Sequence, residues 1–163
     1  MRVKFLSLCA ALALVAACQS APEEKATATT ASTTAAAAPA APSIVPGSKE
    51  DFVVNVGDRV FFGYDRFDLT PEATATLDRQ AAWLKQYQGV TVSIEGHADE
   101  RGTREYNLAL GERRANAVKN YLTALGVEGG RVQVISYGKE RPAVLGANEA
   151  AWAQNRRGVT VIN

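Results

Sequence analysis

GHADERGTREYNLALGERRANAVKNYL, residues 96–122, joins a strand end, a polar loop and an amphipathic helix. On that helix Leu110, Ala117, Tyr121 and Leu125 form an apolar stripe, and at about 100° per residue Arg114 falls near its centre. Asn107, one turn before Leu110, falls on the same stripe, whereas Arg113 lies well to one side. An arginine and an asparagine thus stand where packing alone asks for leucine. Desolvating a lone arginine costs several kcal/mol, so Arg114 needs a partner. Asp99 and Glu100 are the nearest carboxylates in sequence. One reading is a buried ion pair that fixes the loop to the helix. The other starts from the inward Asn107 and from the polar density of ADERGTRE at a strand end, where binding sites are common. On that reading Asp99, Asn107 and Arg114 line a small cleft that is filled by a ligand. A carboxylate and a guanidinium a few ångströms apart complement a zwitterion. Asp99 takes its ammonium, and Arg114 takes its carboxylate through paired N–H donors that lysine cannot copy. An amino-acid head group is the obvious zwitterion.

Upstream, RVFFGYDRFDL (59–69) reads as a strand leading into a loop. Thr70, Pro71 and Glu72 make a helix start, with a hydroxyl cap, proline at the first helical position and an acid in the first turn. Ala73, Leu77, Ala81 and Leu84 give that helix its buried face, and Gly89 ends it. VTVSIEG (90–96) alternates as a strand. The long helix is expected from Glu105 to Leu125, stopped by Gly126. Downstream come a strand over 131–138, a short helix over 148–155 and a last strand in RRGVTVIN. The order β-α-β-α-β-(α)-β predicts an α/β fold of the α+β sandwich kind, a mixed sheet with helices packed on one face.

The first 17 residues are not fold material. Arg2 and Lys4 precede the short apolar run FLSLCAALALVAA, which reads as a secretory signal and is too short for a permanent span. VAAC (15–18) resembles a bacterial lipobox, which implies that Cys18 is lipidated; the alternative is ordinary cleavage near Ala17. Several acyl chains, at about 0.8 kcal/mol per buried methylene, anchor stably. Gln19 after Cys18 points to the outer membrane by the enterobacterial sorting rule. Residues 18–49, rich in Ala, Thr, Pro and Ser, cannot bury enough surface to offset their ordering entropy and read as a disordered tether. The folded domain is expected over 50–163.

Several functions are disfavoured. With Cys9 removed and Cys18 modified, no thiol remains for a disulfide, a metal or catalysis. Loss of Arg2 and Lys4 leaves 16 basic against 17 acidic residues, which is not the charge of a nucleic-acid binder. Glu95, Asp99 and Glu100 do not form a recognisable acid–base pair, and Ser93 and Ser136 lack a triad context. His97 with Asp99 offers too few metal ligands. The chain is expected not to be an enzyme, and no cofactor is expected. Trp83 and Trp152 read as core or partial core.

The 96–122 segment closely resembles the peptidoglycan-binding signature of the OmpA-like domain family. FFGYDRFDL (61–69) and SYGKERPAVLGANEAAWAQNRRGV (136–159) extend the likeness over nearly all of 55–163. In that family an aspartate and an arginine grip the free end of meso-diaminopimelate in the peptidoglycan stem peptide; by motif position these are Asp99 and Arg114. The resemblance also implies backbone contacts from Asp65 to Phe67, places Asn107 at the motif asparagine, and leaves Thr103 and Arg104 as rim residues. His97 and Ala98 depart from many relatives. With the lipobox and tether, the likeness is to lipid-anchored members. It implies a lipoprotein of the outer membrane, its domain facing the periplasm, that tethers membrane to wall. It also implies Tol-system partners, TolB above all, and a part in envelope integrity and cell division. The alternative is a TolB-type partner-binding module whose polar cleft is a structural ion pair.

Overall fold

The computed structural model describes residues 44–163; the expected signal (1–17), Cys18 and the tether as far as residue 43 lie outside the described residues. Four strands, β1 (Arg59–Phe61), β2 (Val92–His97), β3 (Val132–Gly138) and β4 (Arg157–Ile162), form one sheet in the order β1-β4-β2-β3. β2 and β3 run parallel, with Ile94 opposite Val134, while β4 lies antiparallel to both β1 and β2, with Thr160 opposite Ile94. A parallel pair needs a crossover, and helix α3 (Arg104–Ala124) supplies it. Helix α2 (Pro71–Gln86) lies against β1 and α3, and α3 lies on β2 and β3, which gives the expected mixed sheet with its helices on one face. Leu77, Leu84, Ile94, Val118, Leu122 and Val132 meet in the core between them.

The helix starts follow local chemistry. Thr70 Oγ1 accepts from the Ala73 amide at 3.2 Å and caps α2. Thr103 does the same for α3 through the Tyr106 amide, and Asn148 for the short helix α4 (Glu149–Asn155). The end of α2 differs from expectation. It stops at Gln86, short of Gly89, because the Arg131 guanidinium reaches across and donates to the carbonyls of Leu84, Tyr87 and Val90. Gln80 sits on the buried face of α2, fully enclosed; it donates to Gly57 O at 2.7 Å and accepts from Thr160 Oγ1 at 2.8 Å, tying α2 to the sheet.

Two further details depart from the sequence reading. A helical turn α1 (Lys49–Asp51), capped by Ser48, runs on as a π-helical turn over Phe52–Val56. Its Phe52 is completely buried, 4.9 Å from the Trp83 ring, and Trp83 Nε1 donates to Asp51 Oδ2. The signal was present: Ser48 with acids at Glu50 and Asp51, and apolar Phe52 and Val56 four residues apart. The buried face of α3 is also rotated from the expected stripe. It comprises Leu110, Gly111, Arg114, Ala115, Val118 and Leu122, while Ala117, Tyr121 and Leu125 are half-buried at its edge. Tyr121 turns outward and its hydroxyl donates to Asp78 on α2.

The rotation has a backbone cause. A Cβ on Gly96 would lie 1.8 Å from Gly111 O, and one on Gly111 would lie 2.5 Å from Ser136 Oγ. Strand and helix backbones therefore touch at this pair of glycines, which fixes which side of α3 faces β2.

Candidate functional site

The glycine contact brings three segments together: the loop after β1, the end of β2 with its loop, and the first turns of α3. Arg114, fully buried, is their common tie. Its Nε donates to Arg66 O at 2.8 Å, Nη1 to His97 O at 2.8 Å and Nη2 to Gly63 O at 3.0 Å. The expected alternative, an ion pair of Arg114 with Asp99 or Glu100, is not formed. Asp99 draws Arg114 electrostatically but pairs with other arginines, and Glu100 Oε1 accepts from Trp152 Nε1 at 3.0 Å. Burial, against the pull of Asp99, pushes the Arg114 guanidinium down to about 10, which leaves it charged. A guanidinium carries five N–H groups. Three meet carbonyls, so two are left without an acceptor among the described residues.

These groups wall a cleft of about 170 Å³. That suits the end of a side chain rather than a whole peptide. Asp65, Asp99, Asn107 and Arg114 all line it. Asp65 sits in the left-handed region (φ 55°), uncommon without glycine, and its carboxylate accepts from the Tyr106 hydroxyl across the rim. That strained turn directs the Gly63 and Arg66 carbonyls at Arg114. Asn107, 2% exposed, donates to the carbonyls of Arg101 and Thr103 and holds the loop in shape. Thr103 is the exposed cap of α3 and not part of the wall. Phe67 stands outside the cleft, beside Arg113 on the outer flank of α3.

Asp99 is 4% exposed. Burial pushes its carboxyl up, but Arg101 and then Arg156 outweigh this and hold it below the usual carboxylate range. The Arg101 guanidinium lies between the rings of Tyr64 and Trp152, 4.0 Å from each. The sequence reading overlooks Arg101 and Tyr64 as parts of this wall, and Arg156 behind it. Arg101 stands in the quoted motif, two residues after Asp99. Arg156, 6% exposed, donates to Phe62 O and Asp99 and pairs with Glu149, contacts that join residues far apart in the chain and leave no local pattern.

His97 is 2% exposed, neither ring nitrogen has a hydrogen-bond partner among the described residues, and Glu95 Oε2 stands 3.7 Å from Nε2. Burial, followed by the charges of Arg157 and Arg141, pushes its pKa down from 6.5 to about 4. The unfolded chain takes up this proton first as pH falls. Stability from neutral His97 is therefore complete above pH 6.5 and lost as pH falls towards 4. The loss amounts to about 3 kcal/mol. Replacing His97 with leucine is expected to flatten this part of the pH profile of thermal unfolding. An unchanged slope places the responsible proton elsewhere.

A mixed sheet covered by two helices, with a two-signed cleft at the strand ends, defines a small ligand-binding α+β domain. Residues 61–156 match the OmpA family, and the chain belongs to it. Among its relatives, a peptidoglycan-associated lipoprotein of Rhizobium meliloti (strain 1021) is 57% identical over 122 residues, 75% of this chain and 69% of that one. A protein of the same name from Agrobacterium fabrum is 53% identical over 122 residues, again 75% of this chain and 69% of the relative. The crystal structure of the peptidoglycan-associated lipoprotein from Burkholderia pseudomallei superposes with a TM-score of 0.64 at 43% identity, covering 65% of this chain and 90% of that one.

Proposed function

We propose that this protein is an outer-membrane lipoprotein that binds peptidoglycan non-covalently by reading the free end of meso-diaminopimelate. The observation that carries the reading is the cleft itself. One wall presents a buried arginine with two N–H donors to spare, and the same wall system holds a buried carboxylate kept ionised by arginines. The stem-peptide residue ends in a zwitterion, an ammonium and a carboxylate on one carbon, which matches that pair in sign. The names of the relatives, peptidoglycan-associated lipoproteins, support the same ligand and a lipid anchor, for which Cys18 is the candidate. On this reading the lipid holds one end, the tether sets the reach and the cleft grips the wall; many weak grips add up through high local concentration.

A second reading rests on the rim. Tyr64 and Tyr106 line the cleft while 61% and 45% exposed, and Phe67, 48% exposed, stands beyond it on the outer flank of α3. Such a rim suits a protein partner, of the Tol-system type that the sequence resemblance implies. A partner seated there covers the cleft and competes with the wall, a means of linking attachment to cell division.

The test is calorimetric titration with a muropeptide carrying meso-diaminopimelate and with its lysine counterpart, which lacks the carboxylate meant for Arg114. Binding of the first alone is expected; equal binding, or none, removes the assignment. Asp99→Asn keeps side-chain size and is expected to lower affinity about 10- to 100-fold, the worth of a charge-assisted hydrogen bond. Unchanged affinity in a folded variant places the ammonium elsewhere.

A further inference from the structure

Asp99 is already saturated by cations of the protein itself. Its two oxygens offer about four lone-pair directions. Oδ1 accepts from the Arg101 amide at 3.1 Å and Arg101 Nε at 3.2 Å; Oδ2 accepts from Arg101 Nη2 at 2.5 Å and Arg156 Nη1 at 3.4 Å. Arg156 is tied on its other side to Phe62 O and Glu149, and is buried. Arg101 is different. Its side chain is 29% exposed, and apart from Asp99 it is held, among the described residues, by the faces of Tyr64 and Trp152.

We propose that Arg101 is a resident competitor for the ligand's ammonium, so that binding proceeds by exchange of one cation for another on Asp99. The proposal rests on reading the cleft as a zwitterion site, and it makes Arg101 the residue that sets the threshold for entry. An intramolecular cation competes at an effective concentration on the order of millimolar or above. A simple amine gains nothing at Arg114 and cannot meet that competition. A zwitterion gains at Arg114 what it must spend in moving Arg101, so the arginine turns a generally cation-attracting carboxylate into a selective one. Displaced, the guanidinium leaves its sandwich with Trp152, which gives the exchange an optical signature.

The experiment titrates the wild type, Arg101→Met and Arg101→Ala with the diaminopimelate and lysine muropeptides, following both heat and tryptophan emission. Methionine keeps a stem between the two rings and removes the charge, which guards against a merely unfolded variant. Affinity for the diaminopimelate muropeptide is expected to rise about five- to thirtyfold in both variants, the release of one partly exposed ion pair and its ring contacts. The lysine muropeptide becomes measurably bound while remaining the weaker ligand, since Arg114 is untouched. The change in Trp152 emission on binding, present in the wild type, disappears in Arg101→Met. Trp83, buried on the far side of α2, stays constant. Unchanged or weaker binding by the folded variants overturns the proposal, weaker binding making Arg101 a ligand contact. A wild type that prefers the diaminopimelate form, with variants that do not tighten, removes only the role of Arg101. A wild type that binds neither muropeptide removes the zwitterion reading as well.

Discussion

Arg114→Ala is expected to abolish muropeptide binding and also to destabilise the domain by about 3–5 kcal/mol, because three carbonyls lose their donor inside the protein. The three acceptors belong to Gly63, Arg66 and His97, so one side chain ties the loop after β1 to the end of β2. Chemical denaturation measures the second effect and calorimetry the first. A variant that loses binding at full stability would mean that the carbonyls find other donors. This dual role matters for interpretation: lost binding in Arg114→Ala does not by itself identify a ligand contact, and Asp99→Asn, which leaves those three bonds alone but gives up ion pairs with Arg101 and Arg156, needs the same stability check. Arg114→Lys keeps the charge but loses the planar fork that reaches three separate carbonyls, and is expected to fall between alanine and wild type in stability.

Gly96→Ala is expected to cost at least about 4 kcal/mol, among the largest effects a single methyl can have, because the collision is with backbone and no rotamer relieves it. The added carbon would sit 1.8 Å from Gly111 O and 2.6 Å from Gly111 C. α3 must then rise off β2, and with it Arg114 from the end of the strand that carries Asp99. Loss of the folded state, or a folded form without muropeptide binding, follows by thermal unfolding and titration. Gly89→Ala is the matched control, with nothing within 4 Å of the new carbon, and is expected to change little. A Gly96→Ala protein of wild-type stability would show that the helix and strand do not touch as described.

The order of strands and helices was legible because each element carries its own signal, such as Thr70 with Pro71 at the start of α2 and the alternation of VTVSIEG in β2. The place of β4 was not, since nothing local in RRGVTVIN tells it to insert between β1 and β2. The inward Asn107 and Arg114 were legible as violations of an apolar stripe. What satisfies them was not. Arg114 is held by main-chain carbonyls up to 51 residues away, and a carbonyl is invisible in a list of residue types. The orientation of α3 was missed for the same reason: the Gly96–Gly111 contact is between backbones, and a glycine in a sequence announces freedom more readily than proximity.

The short helical turn at the start of the described chain has a mechanical consequence. On the proposed reading, a pull arriving through Ile44 does not reach β1 directly. It meets Phe52 first, sunk completely into the core, with Asp51 clasped by the indole of Trp83 and by the Gly47 amide. Asp51 and Trp83 sit towards the C-terminal end of α2, whereas Thr70, at its other end, follows the loop that lines the cleft. With α2 spanning 16 residues, at about 1.5 Å each, the two ends are some 24 Å apart. Load entering at one end and resisted at the other is thus carried along the length of the helix layer. The mooring is a packed aromatic rather than the three-residue edge strand β1, which would otherwise be the first element to be peeled away.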